Sequence, residues 1–202
     1  PALALYGILF EPFSALSALC LGTGAATMFA ASEFGNRKRT LEKILGRRIS
    51  PKTFDELLEA PKPPNFEAQS REVTVLTCRI HNRAELAGTL PPADYLRMTN
   101  LFRRIVSSHL ASQGACLDET GPEIVRCFFG ILKNERNHAE KAVRAALDLK
   151  SALKTLNQEC QSRWALEFRA GVGISSGPVM AGIYGAREHY FFSGVGPGVD
   201  FS

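Results

Sequence analysis

Paired cysteines are missing from this chain. Cys20, Cys78, Cys116, Cys127 and Cys160 stand far apart, and no two of them make a C-x-x-C. That argues against a zinc ribbon and a disulfide scaffold, so reduced, buried thiols are expected, as suits a cytosolic domain. None of the four histidines falls at a ligand-like spacing from a cysteine pair, which removes a Cys/His zinc centre. A strong charge of one sign is also lacking: 24 basic residues face 20 acidic ones, for a net +4. Part of this excess lies in a single cluster, so no nucleic-acid partner is expected. With 202 residues, 45% hydrophobic and 22% charged, the chain can build one full core plus something smaller. It starts at Pro1 without Met and stops at Ser202 inside a motif, and so reads as a fragment.

Charge is absent altogether from Pro12 to Ser32, between Glu11 and Glu33. About 20 apolar residues suffice to span a bilayer, so residues 1–32 are expected to hold one or more transmembrane segments. Without a basic stretch ahead of it, a signal peptide fits poorly. Arg37, Lys38, Arg39, Lys43, Arg47 and Arg48 follow the span, which places that flank on the cytoplasmic side of an inner or plasma membrane. Ser14, Ala18, Gly22, Ala26 and Ala30 repeat every four residues. Such a stripe of small side chains suits either self-association or packing against other spans of the chain.

Residues 33–64 read as a juxtamembrane helical linker. Leu41, Ile44 and Leu45 make one apolar edge, and Phe54, Leu57 and Leu58 another. Between them Ser50-Pro51 is a helix start, with Ser as N-cap and Pro at the first helical position. Ala60 to Asn65 is a stiff, Pro-rich boundary.

The remaining 65–202 alternate strand and helix patterns. Arg71–Ile80, REVTVLTCRI, is a short apolar run that reads as a buried strand. Pro91 to Gln113 carries a helical stripe of Tyr95, Met98, Phe102, Ile105 and Val106. Gly114 to Gly130 reads as two short strands around Thr120-Gly121-Pro122. Asn137 opens a second helix, with Ala142, Ala146, Leu149, Leu153 and Leu156 on its buried face. Leu166 to Ile174 is expected as one strand and Pro178 to Tyr184 as the next.

These segments, in this order, resemble the class III adenylate/guanylate cyclase catalytic domain. The first strand is similar to the family's REVTVLFADIRGFT. The hairpin follows its GGxxDKFIGDAxxAxFG frame, and Gly171–Gly185 its GINTGxVxAGxxG. The linker Ile44–Leu58 resembles the FGRYVSPxVVxxLL element found behind extracytoplasmic CHASE2 sensors. By this resemblance the fold is α+β, a ferredoxin-like β-α-β-β-α-β cyclase homology domain behind a transmembrane helix and helical linker.

The resemblance also implies chemistry. The family joins the ribose 3′-oxygen of ATP or GTP to the α-phosphate, using Mg²⁺ or Mn²⁺ held by two aspartates. Here Arg79 stands at the first metal Asp and Glu123 at the second. Beside a cation, a guanidinium is repelled where a carboxylate would be attracted; one unit-charge pair near 4 Å is worth about 4 kcal/mol at an effective dielectric of 20. Glu119 stands at the base-reading Lys, Ser193 at the other base-selecting position, and Asp200 at the catalytic Asn that orients the ribose. His81-Asn82-Arg83-Ala84 replaces the phosphate-cradling RGFT, and Arg79 with Arg83 can offer two guanidiniums to a phosphate. The expected partners are a nucleoside triphosphate, a second copy of the chain and the membrane.

The reading is therefore a membrane-tethered cyclase-like signalling domain, degenerate in its catalytic positions and acting as a regulatory or dimerisation module. An active cyclase with a rebuilt metal site is the first alternative, and a metal-independent nucleotide sensor the second.

Overall fold

The computed structural model describes residues 12–118, 120–186 and 189–200; for Pro12 to Ala15, Ala30, His189 and Asp200 it describes the backbone alone. The chain divides into two compact units, Pro1–Thr40 and Leu41–Ser202.

The first unit holds most of helix α1 (Pro12–Leu45). The expected transmembrane segment finds no support in it: no helix among the described residues is long and apolar enough to cross a membrane. Ser17, Gly22, Thr23, Gly24 and Thr27 interrupt the large apolar side chains of the uncharged stretch, and small or hydroxylated residues add little transfer free energy. The Thr23 hydroxyl donates to the Leu19 and Cys20 carbonyls and Thr27 to that of Gly24, so those hydroxyls are satisfied within the helix. Residues 1–11 of the expected span lie outside the described ones.

The second unit begins at Leu41, within the last turns of α1. Gly46 takes φ +53°, its N–H bonding the Glu42 carbonyl at 2.9 Å, a left-handed turn that suits glycine. Helix α2 (Pro51–Glu59) then starts as expected: the Ser50 hydroxyl accepts the Thr53 N–H at 3.1 Å, with Pro51 at the first turn.

A five-stranded antiparallel sheet follows, in the order β2-β3-β1-β4-β5. Its strands are β1 (Gln69–Ile80), β2 (Cys116–Leu117), β3 (Ile124–Phe129), β4 (Ala170–Ala186) and β5 (His189–Val195). Between β1 and β2 lie α3 (Arg83–Thr89) and α4 (Pro92–Ser112), between β3 and β4 lies α5 (His138–Trp164), and α6 (Pro197–Asp200) follows β5. The first four strands with α4 and α5 are the expected β-α-β-β-α-β core, and β5 extends it by one edge.

Alternation along β1 explains the core. Leu76, Cys78 and Ile80 point into a cluster with α4 and α5, including Met98, Phe102, Val106 and Leu149. Val73 and Val75 point the other way, onto Leu41, Ile44, Leu45 and Ile49 of the linker and Leu57 and Leu58 of α2. Covering both faces explains why the central strand reads as an unbroken apolar run. Burial pushes the Cys78 and Cys116 thiols up to about 12, which keeps them protonated and inert.

One strand expectation needs correction. The two short strands at 166–174 and 178–184 are one strand of 17 residues, since β1 pairs without interruption from Ile80↔Ala170 to Gln69↔Ala181. Pro178 does not break it because β5 pairs only from Met180 onward, leaving an open side where a proline is tolerated.

Candidate functional site

Two carboxylates flank the tip of the β2–β3 hairpin, each gripped by an arginine and a hydroxyl. Glu123 immediately precedes β3, and its carbonyl accepts the Ile80 N–H at 3.0 Å, which fixes it beside the end of β1. Its Oε1 accepts the Tyr95 hydroxyl at 2.5 Å, and its Oε2 accepts Nη1 of Arg83 at 3.1 Å. Tyr95 comes from the first turns of α4 and Arg83 from the start of α3. The Tyr95 hydrogen bond, helped by Arg83, holds the Glu123 carboxyl below its ordinary range. Burial, and then the same hydrogen bond, pushes the Tyr95 phenol up to about 12.

Arg79 occupies the neighbouring register position, opposite Ile124 on one side and Gly171 on the other. It is exposed and has no hydrogen bond or ion pair among the described residues. Arg83 and Glu123 are thus brought into contact, whereas Arg79 lies one register position from Ile80, the residue whose N–H bonds the Glu123 carbonyl. Arg83, however, faces Glu123 instead of lining an open phosphate loop. The segment that replaces the family's phosphate-cradling one leads into α3, and Asn82 anchors it: its amide donates to the Glu167 carbonyl and accepts the Arg169 N–H.

The second carboxylate is Asp118. Its Oδ1 accepts the Ser193 hydroxyl at 2.7 Å, and its Oδ2 accepts Nε and Nη2 of Arg126 at 2.9 and 2.7 Å. The Asp118 N–H also donates to the Arg126 carbonyl at 2.9 Å. Ser193 is therefore buried on a carboxylate, with its hydroxyl proton committed. Asp118 and Arg126 are not among the sequence-predicted site residues. The available signal was the hairpin frame, in which Asp118 matches the Asp ahead of the base-reading position. Glu119 lies outside the described residues; Asp200 ends α6, and its side chain is likewise not described.

Mg²⁺ or Mn²⁺ does not fit the described residues at the family's two metal positions. A divalent ion needs several free oxygen ligands. Glu123 has both oxygens engaged, a guanidinium stands at the other expected ligand position, and no group of three His, Cys, Asp or Glu side chains suited to a metal occurs among the described residues.

The comparisons with known proteins agree with this frame. A family model described as "Adenylate and Guanylate cyclase catalytic domain" matches residues 67–193. The chain is similar to Adenylate cyclase 1 of Rhizobium meliloti, 26% identical over 66% of this chain and 20% of that protein. It is similar to the adenylate cyclase of Anabaena cylindrica, 24% identical over 89% of this chain and 36% of that one. The chain thus spans well under half the length of either relative. Among solved structures, the adenylyl cyclase CyaB from P. aeruginosa superposes with a TM-score of 0.63 at 22% identity, over 66% of this chain and 70% of that one, a likeness of fold.

Proposed function

This chain belongs to the adenylate and guanylate cyclase catalytic domain family, and on that premise we propose that it is a catalytically degenerate cyclase-like signalling domain, acting as a regulatory or dimerisation module. One observation carries the reading: both oxygens of the carboxylate at the second metal position are taken by Tyr95 and Arg83, next to Arg79 at the first. The Arg83 guanidinium supplies internally, at Glu123, the charge that a metal supplies elsewhere in the family. The hydroxyl at the base-selecting position is also spent, since Ser193 donates to Asp118. These residues hold a nucleotide-sized scaffold in shape without offering a way to activate the ribose oxygen.

The test is an assay for cyclic AMP and cyclic GMP from ATP and GTP with Mg²⁺ and with Mn²⁺. No product is expected from the wild-type chain. Turnover that disappears in Glu123→Gln overturns the proposal in favour of a rebuilt metal site. The metal-independent nucleotide sensor is the second reading, favoured by the unpartnered Arg79. ATP binding that survives chelator and is lost in Arg79→Ala selects it.

Dimerisation is supported by Val172, Ile174 and Met180, which alternate along β4 and are exposed. Sedimentation of the wild type against Ile174→Glu tests it. A place at the inner face of a membrane is proposed as well. Leu16, Leu19, Leu21, Met28 and Phe29 of α1 are exposed, which supports contact with an apolar phase without requiring a crossing. Fractionation with alkaline extraction tests that location.

A further inference from the structure

Strand β4 is paired along one side and bare along part of the other. β1 takes its inner side from Ala170 to Ala181, whereas β5 pairs only from Met180 onward. The outer side of Ala170–Val179 therefore has no strand partner among the described residues. Helix α6 closes the end of that stretch: a Cβ at Gly196 would stand 3.0 Å from the Pro178 carbonyl oxygen, and one at Gly198 3.7 Å from the Gly177 nitrogen. Ala170–Ser176 stays open, about the length of an ordinary strand. Its sequence, AGVGISS, holds no charge and no proline, two of the devices that keep a sheet edge from recruiting another strand. Val172 and Ile174 lie opposite Cys78 and Leu76, and so on the face that α4 and α5 cover, yet both are exposed. Leu147 of α5 is exposed as well and shares a cleft with Ala170.

We propose that this edge receives the same segment of a second copy of the chain, antiparallel, making one continuous sheet across a two-fold axis at Gly173. The proposal rests on the dimerisation reading above and names the surface that carries it. Pairing about Gly173 sets Val172 opposite the partner's Ile174 and Ile174 opposite the partner's Val172, so each exposed apolar side chain covers another. Charge at the two ends favours the same arrangement. The cleft at the Ala170 end is lined by Lys150 and Lys154 and by no carboxylate. Both lysines are exposed and have no hydrogen bond or ion pair among the described residues. At the other end, on the same face of the sheet, Glu72 stands opposite Pro178, exposed and equally unpaired among the described residues. Antiparallel pairing brings the basic end of each copy towards the acidic end of the other, about two strand spacings or ~10 Å apart. That is close to the Debye length at about 0.1 M salt, so the ends attract without touching. A parallel arrangement would set like charges side by side. Each copy uses up its open edge in the pairing, and the assembly closes at two.

Cysteine cross-linking of the whole chain tests the register. Val172→Cys and Ile174→Cys chains, each also carrying Cys20→Ser to remove an exposed thiol, are mixed under mild oxidant. The mixture is expected to give a disulfide-linked dimer, and either chain alone about fivefold less, since only the mixed pair places the two thiols directly opposite. In the wild type, hydrogen exchange at the 170–176 amides is expected to slow as concentration rises, in step with the dimer seen by sedimentation. Glu72→Lys is expected to weaken that dimer about threefold. A sedimenting dimer with no cross-link in the mixture and unchanged exchange at 170–176 overturns this edge and leaves dimerisation to another surface. Equal cross-linking by the single chains overturns the register, an unaltered dimer in Glu72→Lys the charge pairing, and growth beyond two copies the closed two-fold. A monomer at every concentration overturns the edge and the dimerisation reading together.

Discussion

Asp118 and Glu123 stand five positions apart on one hairpin, and each is held by an arginine and a hydroxyl. Their surroundings differ. The Asp118 side chain is 3% exposed and its Arg126 partner 29%, whereas Glu123 is 22% exposed and Arg83 63%. A pair deep in the protein has no water to fall back on when one member is removed. A pair open to solvent does. The lesson is that one arrangement of groups can serve as a structural joint at Asp118 and as a replaceable clasp at Glu123.

The largest test of the contrast is Asp118→Ala. Removing the carboxylate strands a largely buried guanidinium and a buried hydroxyl, and a loss of about 3 kcal/mol is expected in urea-unfolding midpoints. Next comes Ser193→Ala, which deletes one hydrogen bond to a charged acceptor; a loss of about 2 kcal/mol is expected by the same measurement. Glu123→Gln should be milder, under about 1 kcal/mol, because Arg83 regains water. If Glu123→Gln destabilised as much as Asp118→Ala, the distinction between joint and clasp would collapse.

The subtlest test uses pH. The Tyr95 phenol titrates in the fold at about 12, above its ordinary value of 10.0. Folding thus favours the protonated phenol, and this contribution is complete below pH 10.0 and lost as pH rises towards about 12. Thermal unfolding across that window should show an alkaline decline in the wild type that is shallower in Tyr95→Phe. Tyrosinate absorbance assigns the group. For Glu123 the sign is opposite. Its lowered carboxyl favours the ionised form in the fold, so that stability is present above the ordinary carboxylate range and disappears as pH falls through and below it.

Much of this architecture is visible along the chain. The run Val73–Cys78 announces a strand covered on both faces, and Leu41, Ile44, Leu45, Leu57 and Leu58 announce the linker edges that do the covering. Ser50 and Pro51 mark the start of α2 because capping is local chemistry. The break expected between Ile174 and Pro178 failed for a non-local reason: twelve register pairs with β1 outweigh local turn propensity. The family frame singled out Arg79, Arg83 and Glu123, but not the contacts they make. Arg83 meets Glu123 across 40 positions, and Ser193 meets Asp118 across 75.

The amino-acid sequence by itself determined the buried central strand, the two long helices α4 and α5 and the start of α2, since each follows from periodicity or capping at one place. Only the tertiary structure decided that Glu123 is already occupied by Tyr95 and Arg83, that Ser193 is committed to Asp118, and that Arg48 stacks on Phe191. Those outcomes depend on distances between side chains far apart in the chain, which the folded sheet sets and local propensity does not encode.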